Sequence, residues 1–185
     1  MGLAKVKNYI SIEDYLAAEN DGEIRHEYIY GEVYAMAGTS DVHNRITARF
    51  FTKLFQKFDG SNCDAFMTDM KLQADEATFY YPDVFVACDN PDKYFRREPI
   101  LVIEVLSPTT ERTDKHEKLN VYRQIPTLQE YVIVAQEKIW VELHQKQKDG
   151  IWTRTQFTEI NEVLELKSVD LSFTLEEVYR GIKFD

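Results

Sequence analysis

Positive charge is what this chain has least to spare. Its 185 residues carry 22 Lys and Arg against 32 Asp and Glu, a formal net charge of −10 at pH 7. That balance favours solubility and argues against strong non-specific attachment to nucleic acid. A nuclease stays within reach, because an acidic metal site adds to the deficit and local basic patches still hold phosphates. Cysteine is scarce as well: Cys63 and Cys88 form no metal-spaced pair. No apolar run is long enough to span a bilayer. The opening MGLAKVKNYISIEDYL lacks the apolar core of a signal peptide. The two cysteines are therefore expected to be reduced thiols in a cytoplasmic protein. Low-complexity tracts, internal repeats and linkers are absent too, so residues 1–185 are expected to form one domain with a sizeable core.

What is present is apolar and patterned. Hydrophobic residues make up 44 % of the chain and aromatics 13 %. Ser11 reads as the N-cap of a short helix over 12–19, and 25–29 and 32–36 as a hairpin turning at Tyr30-Gly31. A helix is expected over 42–58, then strands over 65–73 (interrupted by polar residues), 84–88 and 100–106. A helix over 114–125 ends at Pro126, followed by a strand over 130–134. Strands over 140–147 and 152–157 flank Asp149-Gly150, a strong hairpin signal. A short helix over 174–179 comes last. The strand–helix–strand unit over 100–134 fits a crossover between parallel strands. The fold class is α/β (α+β), a mixed β-sheet with helices on its faces.

One strand carries an oddity. In Ile100-Leu101-Val102-Ile103-Glu104-Val105-Leu106, one carboxylate stands among aliphatic residues. Alternation puts Glu104 on the face of Val102 and Leu106. A buried charge needs a partner. Lys118 is one: with Val121, Tyr122 and Ile125 at i+3, i+4 and i+7, it lies on the sheet-facing stripe of the next helix. Counting rises along strand and helix places Lys118 level with Glu104. Asp83, after Pro82, falls at the lead-in of the strand over 84–88. Two carboxylates on neighbouring strand ends suit a hard cation, and a lysine beside them suits an attacking water. A plain buried ion network is the alternative reading of the same three residues.

Pro82-Asp83 followed by Ile103-Glu104-Val105-Leu106 resembles the signature of the PD-(D/E)XK nuclease superfamily. More closely, the chain resembles a widespread group of small bacterial proteins labelled restriction endonucleases. The likeness runs from Glu27 to Gln145. It takes in Glu27-Tyr28-Ile29-Tyr30-Gly31-Glu32, His43, Pro82-Asp83-Val84, Glu104-Val105-Leu106-Ser107-Pro108, and Lys118 ahead of Tyr122. The superfamily's lysine, two positions after the glutamate, is Leu106 here; in the closer group its place is on the following helix, where Lys118 stands.

The resemblance implies a restriction-endonuclease-like fold and Mg²⁺- or Mn²⁺-dependent hydrolysis of DNA. Asp83 and Glu104, with the Val105 carbonyl, would hold the metal. Lys118 would position the water. Glu27 would add a carboxylate unless it pairs with Arg25, and His43 would join the site unless it is a core histidine. Arg112, Lys115 and Arg123 are candidates for backbone contact. Cutting both strands of a duplex favours a homodimer. A catalytically degenerate module that binds nucleic acid or a protein partner remains the competing function.

Overall fold

The computed structural model describes residues 9–36, 38–88, 92–107 and 113–184. Ser11 caps α1 (Ile12–Asp21), its side chain accepting from the Asp14 N–H. The expected hairpin follows as β1 (His26–Ile29) and β2 (Glu32–Ala35). Tyr30 (φ 46°) and Gly31 (φ 88°) both adopt left-handed backbone, so this two-residue turn matches the twist of its strands. Ser40 caps α2 (Asp41–Phe58), which buries His43, Ile46, Thr47, Phe50 and Leu54.

A run of strands comes next: β3 (Asp64–Met67), β4 (Lys71–Asp75), β5 (Thr78–Tyr80), β6 (Val84–Ala87), β7 (Phe95–Arg96) and β8 (Pro99–Leu106). A π-helical segment, Thr113–Lys118, leads into α3 (Leu119–Tyr122). The chain ends in β9 (Glu130–Ala135), β10 (Val141–Lys146), β11 (Trp152–Phe157), β12 (Val163–Leu166), β13 (Leu171–Thr174) and α4 (Leu175–Tyr179).

The strands form a six-stranded sheet, β11-β10-β9-β8-β6-β3, a five-stranded sheet, β2-β1-β5-β4-β7, and the hairpin β12-β13. In the larger sheet β8 and β9 are parallel, as the crossover pattern predicts, and all other pairs are antiparallel. The alternation along β8 also holds. Leu101, Ile103 and Val105 pack into the core that contains Ile46, Phe50 and Leu54 of α2. Val102 and Leu106 pack into the opposite core, with Leu119 and Tyr122 of α3. The sheet is thus clad on both faces at its centre, which explains the near-continuous apolar strands β6, β8 and β9.

Three expectations need correction. The segment 65–73 is two strands in two different sheets. A turn with Thr68 at φ 50° separates them, and the Thr68 N–H donates to the Asp83 carbonyl at 3.3 Å. The polar interruption in the sequence is that turn. The helix over 114–125 is a π-helical segment followed by four α-helical residues. Its core-facing residues lie where expected, but the wider turn was invisible to a 3.6-residue count. Finally, Cys63 and Cys88 are joined in a disulfide. They are 25 positions apart, yet β3 and β6 pair with Asp64 opposite Ala87, which brings the next residues on each strand together.

Candidate active site

Antiparallel pairing of β6 with β8 sets Val84 opposite Ile103. Extending that register by one residue puts Asp83 opposite Glu104. The two are laced together through main-chain donors. The Asp83 N–H donates to Glu104 Oε2 at 3.2 Å, and the Val105 N–H donates to Asp83 Oδ2 at 2.7 Å. Pro82 precedes Asp83 and cannot donate to a ladder, so the strand begins only after the carboxylate has turned toward Glu104.

Lys118 arrives from the π-helical segment on the Glu104 side of the sheet. Its Nζ lies 3.1 Å from Glu104 Oε1 and 2.9 Å from Glu27 Oε1. The predicted pairing of Lys118 with Glu104 is therefore present, and Glu27 is a third member. Glu27 does not pair with Arg25. That arginine reaches Asp69 at 3.7 Å and donates to the carbonyls of Glu19 and Gly22. His43, in the first turn of α2, sets Nε2 3.2 Å from Asp83 Oδ2. It is buried, as a core histidine would be, and at the same time a neighbour of the carboxylate pair.

The electrostatics are lopsided. Among the described residues, Glu27, Asp83 and Glu104 bring three carboxylates against the Lys118 ammonium, with side chains only 14 %, 17 % and 4 % exposed. Solvent cannot dilute that excess well, so the site favours an added cation. The donor set is hard oxygen. Among the described residues no three His, Cys, Asp or Glu side chains converge as ligands. One or two carboxylates, with the remaining positions left to water and substrate phosphate, is how Mg²⁺ is usually held. The residues present fit such an ion.

Of the other expected residues, Arg123 is not brought to this cluster. Its Nη2 meets His144 Nδ1 at 2.9 Å, and its guanidinium lies over Trp152. Arg112 and the side chain of Lys115 lie outside the described residues. Leu106 is buried in the core, so the position where the superfamily carries lysine holds packing only.

Residues 12–176 match the Uma2 family, whose description is "Putative restriction endonuclease". The chain belongs to this family. Two uncharacterized proteins of Synechocystis sp. (strain ATCC 27184 / PCC 6803 / Kazusa) are similar along most of their length. One is 37 % identical over 95 % of this chain and 94 % of its own. The other is 33 % identical over 84 % and 92 %. A crystal structure from Anabaena variabilis, of a "putative nuclease belonging to DUF820", superposes with a TM-score of 0.73. It covers 92 % of this chain and 97 % of its own at 16 % identity. That likeness establishes the fold.

Two members of the cluster escaped the sequence reading. Tyr122 donates its hydroxyl to Glu104 Oε1 at 3.0 Å, and the Tyr80 ring lies 5.3 Å from Lys118 Nζ. Burial, reinforced by the charge of Glu104, holds the Tyr122 hydroxyl well above its ordinary pKa, so it remains a neutral donor. The signal for Tyr122 was its place four residues after Lys118, which repeats the same helix face. Tyr80 carried no such signal, since the short strand β5 was not recognisable.

Proposed function

We propose that this protein is a metal-dependent endonuclease that hydrolyses phosphodiester bonds in DNA. The observation that carries the reading is the buried carboxylate cluster Glu27–Asp83–Glu104 around Lys118, at the end of a parallel strand pair. Asp83, Glu104 and the Val105 carbonyl would hold Mg²⁺ or Mn²⁺. Such an ion, when bound, polarises the phosphodiester and lowers the pKa of a water. Lys118 orients that water and meets the negative charge that develops on the phosphoryl oxygens. Glu27 and Glu104 hold Lys118 in place from two sides. Tyr122 fixes the rotamer of Glu104 from below. His43, with Nε2 3.2 Å from Asp83 Oδ2, holds that carboxylate in place. In this reading the protein acts as a homodimer, each protomer cutting one strand.

The test is cleavage of supercoiled and single-stranded DNA with Mg²⁺ or Mn²⁺, with Glu104→Ala as control. Metal-dependent nicking by the wild type and none by Glu104→Ala is the expected result. Equal activity in both, or none in either, overturns the reading.

A further inference from the structure

The sequence pointed to basic residues around α3 for backbone contact. The structure offers a different place. Along α2, Arg45, Arg49, Lys53 and Lys57 recur every fourth residue and form one stripe, beside the buried stripe Ile46–Phe50–Leu54. Arg180, at the C-terminal end of α4, joins it across a cavity of about 430 Å³ lined by Arg49, Thr52, Lys53, Gln56, Glu177 and Arg180.

Three of these cations have carboxylate neighbours. Arg45 is 3.5 Å from Asp41, Lys53 3.1 Å from Glu177, and Lys57 3.2 Å from Asp170. The other two have none within ion-pair distance among the described residues. Arg49 donates only to the main-chain carbonyls of Val178 and Arg180, and Arg45 also reaches the Gly181 carbonyl. Arg45, Arg49 and Arg180 therefore gather on one face with little compensation. Partial burial, then the charges of Arg45 and Arg180, holds Arg49 below the ordinary guanidinium pKa. Gathering guanidinium groups in a chain of net charge −10 is unfavourable unless an anion completes the set.

Arg45 lies two residues after His43, so the stripe runs along the side of α2 turned away from its buried face. From there the cations recur about every 6 Å along the helix axis. A polyanion of regular spacing fits better than one small anion.

We propose that Arg45, Arg49, Lys53, Lys57 and Arg180 form a track that grips successive phosphates of a bound DNA strand. The choice of DNA rests on the nuclease reading above; the polyanion track rests on the stripe itself.

The test uses Arg45→Glu combined with Arg180→Glu. Arg49 is left intact because it holds the end of α4. Lys148→Glu, in the exposed turn between β10 and β11, gives a single charge reversal elsewhere, and Lys148→Glu with Lys138→Glu matches the full charge change. Binding of a fluorescein-labelled DNA oligonucleotide is followed by anisotropy in EDTA across a salt series, so that no cleavage intervenes. The stripe variant is expected to bind about tenfold or more weakly and to show a shallower salt dependence, the slope falling by about 0.7–0.9 for each phosphate that is no longer neutralised. The control variants are expected to keep the wild-type slope.

Equal weakening in stripe and control variants overturns the proposal, as does a wild type that binds no DNA. Displacement by polyglutamate as effective as by unlabelled DNA overturns it in favour of an acidic protein partner. Hydrolysis of bis(p-nitrophenyl) phosphate with Mn²⁺ separates the two readings, because so small a diester does not reach the stripe. The double variant is expected to hydrolyse it at the wild-type rate. A wild type that binds DNA through the stripe yet leaves the diester intact sinks the nuclease reading and keeps the track.

Discussion

Two buried glutamates stand on adjacent parallel strands, and they could hardly differ more. Glu130, at the start of β9, is 1 % exposed. Its carboxylate accepts from the main-chain N–H groups of Lys167 and Ser168, from the Ser168 hydroxyl and from the Gln145 amide, all within 3.0 Å. Every one of those donors is neutral and belongs to the fold, so the carboxylate pins the turn between β12 and β13 to the sheet. Glu104, near the end of β8, is 3 % exposed and, among the described residues, shares its surroundings with two further carboxylates and one lysine. A buried carboxylate satisfied by neutral dipoles is a structural anchor. A buried carboxylate crowded by others is poised for a cation. Burial alone separates nothing here; the sign balance of the neighbours does.

The contrast can be broken by exchanging outcomes between the two residues. Glu104→Ala is expected to lower metal-dependent DNA cleavage by more than about a hundredfold, measured as nicking of supercoiled plasmid, and to leave the protein folded. Glu130→Ala should do the reverse. Its orphaned donors are expected to cost more than about 3 kcal/mol in urea unfolding, with no specific loss of cleavage per folded molecule. A Glu104→Ala protein as unstable as Glu130→Ala would reduce the cluster to a structural ion network.

Lys118→Ala comes next in size. Cleavage is expected to drop about a hundredfold while Ca²⁺ still raises the melting temperature. A folded, metal-binding Lys118→Ala protein that cuts at the wild-type rate would remove lysine from the mechanism. Divalent metal itself sharpens the comparison. Mg²⁺ or Ca²⁺ is expected to raise the wild-type Tm by a few degrees. Asp83→Ala and Glu104→Ala should abolish that shift, and Glu130→Gln should retain it.

The smallest effect concerns a third buried carboxylate. Glu142 is held by His144 Nε2 at 2.7 Å, Arg154 at 2.9 Å and Gln156 at 2.8 Å. Burial, against the pull of Glu142, holds His144 below its ordinary pKa. The unfolded chain then takes up the proton first. Stability is therefore full above about pH 6.5 and falls as the pH drops below that value. His144→Gln is expected to flatten this part of the stability–pH curve, read by urea unfolding between neutral and mildly acid pH. An unchanged slope would show that the pair titrates differently.

Much of this was legible in the residues. The Tyr30-Gly31 turn, the cap at Ser11 and the alternation along β8 depend on local backbone preference and on period-two burial. Even the meeting of Lys118 with Glu104 followed from counting rises along one strand and one helix, because a crossover connects them directly. Much of what failed had a common cause. The split of 65–73, the strand β7 and the Cys63–Cys88 disulfide depend on which distant strand lies alongside. Nothing in a short segment encodes its neighbour.

By itself, then, the sequence determined a mixed α/β chain, a carboxylate placed inside an apolar strand and a lysine on the wrong face of a helix. Local sterics and hydrophobic periodicity act within a few residues, and those features are that short. Only the tertiary structure decided that Glu27 turns to Lys118 instead of Arg25, that Tyr122 completes the cluster, and that Arg180 comes to lie beside the cations of α2. Those choices rest on side-chain electrostatics between segments far apart in the chain. Such interactions acquire their strength only after packing has excluded water and fixed the distances.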